Sequence, residues 1–148
     1  MRKGELNTAD EIDKMMNKKS GMLGISGKTS DNQEIERLAR SGDERAILCE
    51  NMYCHQIAKF VGSYMVAMGG ADAIVFTGGI GENAGEYRTA VCEKLAFMGV
   101  KIDEAKNKIR GEEVEISTPD STIKVYVIPT NEELMIARDT LEIVNGLK

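Results

Sequence analysis

The chain has 148 residues, 42% hydrophobic and 29% charged, with a formal net charge of −5. This composition and length suit one water-soluble globular domain, and the acidic balance without a long basic run argues against nucleic acid and anionic membranes as main partners. The longest apolar run, Tyr64–Met68, has five residues, whereas a membrane span needs roughly 20.

Met1–Leu6 has no apolar core and does not read as a secretory signal. Thr8-Ala9-Asp10-Glu11 is a capping box that predicts a helix from Ala9 to about Lys18. Ser20–Gly27 holds three glycines and reads as a loop. Gly27-Lys28-Thr29 invites a P-loop reading, but the required upstream glycine would fall at Met22, and a helix precedes where that motif needs a strand. Ser30-Asp31-Asn32-Gln33 reads as a second capping box, opening a helix to about Arg40. A long helix follows from about Glu44 to Met68. Tyr53, Ile57, Phe60, Val61, Tyr64, Met65 and Met68 form a stripe along it. A helix so apolar is expected to be buried within a domain or between subunits. Cys49, Cys54 and Cys92 lack Cys-x-x-Cys spacing and read as free buried thiols in a reducing cytoplasm. His55, the only histidine, adjoins Cys54, but adjacent helical residues face different ways and do not form a metal site.

Ala73–Phe76 reads as a short buried strand, and Gly78, Gly79 and Gly81 follow it directly. Asn83 is expected to open a helix to about Met98, with Glu86 as its capping partner and Tyr87, Val91, Leu95 and Met98 inward. A strand that breaks into glycines before a helix presents backbone N–H groups without side chains in the way, which suits a phosphate or nucleotide. A plain strand–turn–helix connection has the same pattern. The dinucleotide fingerprint is not met, because Gly79-Ile80-Gly81 is followed by Ala84 where it needs glycine.

Further on, Gly99–Ile102 reads as a short strand and Asp103–Arg110 as an exposed polar segment. Val114–Ser117 and Ile123–Ile128 read as strands around a turn at Pro119-Asp120. Thr130 reads as the N-cap of a last helix, Asn131 to about Val144, with Glu133 folding back on its amide and Leu134, Ala137, Leu141 and Val144 inward. Glu132 is then left at the mouth of a strand-to-helix crossing. Its carboxylate could hold Mg²⁺, which binds few carboxylates plus phosphate oxygens, or it could simply favour the first helical turn. The element order is α/β with few strands, as if neighbouring strands belonged to a segment outside this chain.

Three stretches, Asn17–Gly27, Asp72–Asn83 and Val127–Arg138, together closely resemble the C-terminal part of the acetate kinase family, in the wider acetate/propionate/butyrate kinase group. The resemblance runs from about Leu6 to Val144. It implies the C-terminal domain of an actin-like, sugar-kinase-like ATPase fold, with an incomplete sheet flanked by helices and the N-terminal domain absent from this chain. It further implies Mg²⁺-dependent, reversible phosphoryl transfer between ATP and a short carboxylate such as acetate, giving acetyl phosphate and ADP. Position by position, Gly79, Ile80, Gly81, Glu82 and Asn83 match the family's adenosine-side loop. Asp31, Asn32 and Gln33 align with a second nucleotide-contacting triplet, and Glu132 matches a glutamate linked to the metal. The triplet departs from the family's Asp-Phe/Met-Arg: an apolar wall and a cation are replaced by Asn32 and Gln33, and Gln33 is expected to serve its own helix as cap partner instead. Glutamine lacks the charged planar fork of arginine, so weakened nucleotide affinity is expected. The family's phosphate loop, carboxylate pocket and catalytic Asp, His and Arg match no part of this sequence, so the chain alone is expected not to turn over. The resemblance also implies a cytoplasmic homodimer. A non-catalytic dimerisation module, joined through the Cys49–Met68 helix, is the alternative reading.

Overall fold

A computed structural model describes residues 8 to 147, so the Met1–Leu6 reading lies outside the described residues. They divide into two compact units, the first ending at Phe60 and the second beginning at Val61.

The first unit opens with helix α1 (Ala9–Lys18), started by the expected box. Thr8 Oγ1 accepts from the Glu11 amide at 3.2 Å, and the Glu11 carboxylate accepts from the Thr8 amide at 3.0 Å. Gly21–Ser26, expected as loop, is a short helix, α2. Its stability comes from far along the chain: Arg45 donates from Nε to the Ile25 carbonyl (2.7 Å) and from Nη2 to the Gly24 carbonyl (3.2 Å), satisfying end carbonyls that a six-residue helix leaves open. Helix α3 (Asn32–Arg40) starts one residue later than expected. Asp31, not Ser30, is its N-cap, accepting from the Glu34 amide at 3.0 Å. Gln33 therefore sits at the second helical position, and the third belongs to Glu34.

Helix α4 (Glu44–Met68) begins in this unit, where Asp43 accepts from the Ala46 amide and pairs with Lys28. Ile35, Ala46 and Cys49 form the core, with Met22, Ile25, Leu38 and Ala39 packed on it. Burial of an Ile-sized side chain contributes about 1.5–3 kcal/mol. The residues of α4 that are buried are Ala46, Cys49, Cys54 and Ala58, not the expected stripe, of which Phe60, Tyr64 and Met68 are exposed. None of the three cysteines is in a disulfide, and all three are buried.

The second unit holds a three-stranded sheet in the order β1-β3-β2, made of β1 (Ala73–Phe76), β2 (Val114–Glu115) and β3 (Lys124–Val127). Strands β1 and β3 are parallel, with Ala73 opposite Lys124 and Phe76 opposite Val127. Strand β2 lies antiparallel on the other side of β3. Gly99–Ile102 is reduced to two single bridges, Val100 with Ile123 and Ile102 with Ser117. Val100, Ile116, Ile123, Val125 and Val127 are buried.

The glycine stretch is not a turn but a six-residue helix, α5 (Gly78–Asn83). Asn83 ends it rather than opening the next, and helix α6 (Gly85–Lys94) starts from Ala84 without a side-chain cap. A 3-10 turn at Ala96–Met98 continues α6 toward the expected end, with Tyr87, Val91 and Leu95 buried as expected. The segment 103–110 carries a 3-10 turn at Lys106–Lys108, and Asn107 within it is buried at 3% exposure, against the exposed reading. The last helix, α7 (Glu132–Gly146), takes Asn131 as N-cap, its side chain accepting from the Leu134 amide at 3.0 Å. None of its described residues is buried, so Leu134, Leu141 and Val144 are not inward within this chain. Among the described residues no helix is long and apolar enough to cross a membrane.

Candidate functional site

Parallel register brings the ends of β1 and β3 level, and the Ile128 amide donates to the Phe76 carbonyl at 3.0 Å. Thr77 and Ile128 therefore leave the sheet side by side. In open α/β sheets ligands bind beyond the carboxyl ends of the strands. One chain end runs into α5, and the other runs through Pro129 and Thr130 into α7.

Each glycine of α5 answers a different local demand. Gly78 sits at φ 71°, a left-handed conformation that side chains disfavour. A Cβ on Gly81 would stand 3.3 Å from the Phe76 carbonyl carbon, so the chain turns back closely on its own strand there. A Cβ on Gly79 would meet nothing within 4 Å, and this residue is exposed. The first-turn amides of a helix have no intrahelical acceptor. For Gly78 the acceptor is Glu82 Oε1, at 2.8 Å. Asn83 donates from Nδ2 to the Gly79 carbonyl at 3.0 Å.

Glu82 does more than close its own turn. The same Oε1 accepts from the Thr130 amide (2.8 Å) and hydroxyl (2.9 Å). The Thr130 amide, with the Thr130 hydroxyl and the Gly78 amide after it, holds the Glu82 carboxyl below the usual carboxylate range. This is where the expected Thr130–Glu133 capping box fails, because the Thr130 amide is committed to Glu82. The clamp ties the glycine helix to the start of α7, bringing Gly79–Asn83 and Glu132 to one edge of the second unit. Asp31, Asn32 and Gln33 lie in the first unit. There Asp31 caps its helix and donates its own amide to Thr29 Oγ1 at 3.0 Å.

Sequence reasoning missed Arg88. Its side chain is fully buried, and its guanidinium donates to Asn107 Oδ1 (2.7 Å), the Asn107 and Ile109 carbonyls (2.7 and 3.1 Å) and the Gly81 and Glu82 carbonyls (2.8 and 3.0 Å). Burial, and secondarily the nearby Arg110 charge, press its pKa below the ordinary arginine value, against an opposing pull from Cys92. Burial likewise pushes the Cys92 thiol up to about 12, so it is not a nucleophile at neutral pH. The one available signal was an arginine at a core-facing position of α6, one residue after buried Tyr87.

Among the described residues no group of three His, Cys, Asp or Glu side chains could hold a metal ion. Glu132, the first residue of α7, is an exposed carboxylate. A lone carboxylate suits Mg²⁺ only when phosphate oxygens and water complete its shell.

The crystal structure of Porphyromonas gingivalis acetate kinase is 49% identical and matches 93% of this chain and 35% of its own with a TM-score of 0.85. The Entamoeba histolytica acetate kinase structure is 31% identical over 93% of this chain and 37% of its own, with a TM-score of 0.83. The α/β architecture is that of the actin-like ATPase fold. In sequence, residues 1–138 match the acetokinase family. The acetate kinase of Carboxydothermus hydrogenoformans is 56% identical over 137 residues, 93% of this chain and 34% of that protein. That of Phocaeicola vulgatus is 55% identical over 98% of this chain and 36% of its own. The chain belongs to the acetokinase family, and it spans about a third of the length of the curated relatives it matches.

Proposed function

We propose that this chain carries the nucleotide-side share of an acetate kinase reaction, the reversible transfer of the ATP γ-phosphoryl to a short carboxylate. The observation that carries the reading is the Glu82–Thr130 clamp, which joins the glycine helix to the helix bearing Glu132. Gly79, Ile80, Gly81, Glu82 and Asn83 take the nucleotide in this reading, with main-chain groups at the exposed turn around Gly79. Asp31, Asn32 and Gln33 contribute a second nucleotide contact, weakened where arginine is replaced by Gln33. Glu132 helps hold Mg²⁺, which when bound offsets the negative charge of the phosphates. Glu82 contributes by holding the glycine helix and the α7 start in register.

Rate in phosphoryl transfer comes largely from positive groups around the transferring phosphoryl. The chain spans a third of its relatives, and alone it does not turn over in this reading. Release of ADP from ATP and acetate above a no-protein blank, abolished by Glu132→Ala, would refute that statement. Calorimetric titration of Mg-ADP into the chain tests binding itself. The reading expects saturable heat that diminishes in Glu132→Ala, and a flat titration of the parent counts against it. A homodimer, in the cytoplasm, is the expected state of the parent enzyme. Exposed Tyr64, Val66 and Met68 near the end of α4 support self-association, and sedimentation showing only monomer would contradict it.

A further inference from the structure

Arg88 is the largest fully buried side chain among the described residues. Each of the five hydrogen bonds it makes among the described residues goes to a neutral oxygen, none to a carboxylate. Burying a cation is costly unless hydrogen bonds compensate it closely. A simple packing role at this α6 position would be filled more cheaply by an apolar side chain. The charge is instead applied to two places at once. One prong holds the Gly81 and Glu82 carbonyls, in the last turn of α5. The other holds Asn107 and the Ile109 carbonyl, in the 103–110 segment.

Asn107 locks the second prong. Its Nδ2 donates to the Gly85 carbonyl and to Thr89 Oγ1, both at 2.9 Å. Gly85 has to be glycine for this approach, since a Cβ there would stand 2.8 Å from the Asn107 carbonyl oxygen. The α5–α6 junction is thus bolted from beneath, while Glu82 secures the opposite end of α5 through Gly78 and Thr130. A six-residue helix has little stability of its own, so these bonds hold it in place.

We infer that Arg88 is a positioning residue for nucleotide binding: it fixes the glycine helix so that the open turn at Gly79 is presented in one conformation. The inference rests on the nucleotide reading above. Binding to a preorganised site avoids the ordering cost that a loose segment imposes. Lysine cannot replace it, because a single ammonium cannot reach both carbonyl pairs in the plane of a guanidinium fork.

The test compares the parent chain with Arg88→Lys and, should that variant not fold, Asn107→Ala. Amide hydrogen exchange is followed in residues 78–84 and in 123–127, and Mg-ADP affinity is measured on protein shown to be folded by circular dichroism. The expected result is exchange at least tenfold faster in 78–84 with 123–127 unchanged, together with Mg-ADP binding weakened at least tenfold. Faster exchange spread equally over both segments would mark Arg88 as a general core staple and overturn the inference. So would unchanged exchange, or unchanged affinity beside local loosening. A parent chain that binds no Mg-ADP defeats the nucleotide reading itself, and is told apart because it precedes any substitution.

Discussion

Replacing Gly85 with alanine places a methyl group 2.8 Å from the Asn107 carbonyl oxygen and 3.5 Å from Arg88 Nη2. Carbon–oxygen contacts are comfortable from about 3.3 Å, so about half an ångström of movement is required. The nearest obstacle is main chain and cannot swing aside as a flexible side chain would. Overpacking of this kind costs about 1–3 kcal/mol. Alanine recovers up to about 1 kcal/mol over glycine inside a helix, and less at the first helical position, where Gly85 lies. The net expectation is a loss of about 1–2 kcal/mol, a fall in Tm of about 2–8 °C for a chain of this size. Urea unfolding followed by circular dichroism measures it. Gly79→Ala is the internal control, since its new methyl meets nothing within 4 Å. Equal stability of the two variants would refute the claim that the α5–α6 junction is closed down on Asn107.

Gly99→Ala should cost more than Gly85→Ala in the same unfolding assay, because φ is 86° and the Cβ would stand 2.6 Å from Thr122 Oγ1. Asp31→Ala should destabilise by about 1 kcal/mol through loss of the α3 cap, while Asp31→Asn should keep most of that stability; equal losses would contradict the cap. The Lys101 ammonium, 2.6 Å away, holds Asp120 at about 2, below its ordinary value. A depressed folded pKa means that its contribution is full above about pH 4 and is lost as pH falls through about 2. The stability difference between the parent and Asp120→Asn should therefore shrink on acidification over that window, and it should be small throughout because both partners are exposed.

Helices with a strong local signal were legible in the sequence. The Thr8–Glu11 box, the helical run of α4 and the extended form of β1 ahead of the glycines all depend on neighbours within a few residues, whereas the expected burial of β1 is not met, its residues being exposed or half-buried. Features built by distant partners were not. Gly21–Ser26 becomes helical with Arg45 on its last carbonyls, some twenty residues on. Thr130 is taken from its local cap by Glu82, 48 residues away. Asn107 sits in a polar stretch and is buried because Arg88 needs an acceptor there. The inward face assigned to α7 came from its periodicity, which marks a side meant to be covered without saying by what. Of the candidate site, the residues of the glycine stretch were legible as a motif, but their helical form and their two anchors were not.

Backbone NMR during a Mg-ADP titration tests the central claim most directly, because it reports each amide separately. The account predicts saturable shifts concentrated at Gly79–Asn83, with the amides of β3 nearly still. Saturable shifts elsewhere that spare Gly79–Asn83, or no saturable shift at all, would contradict it.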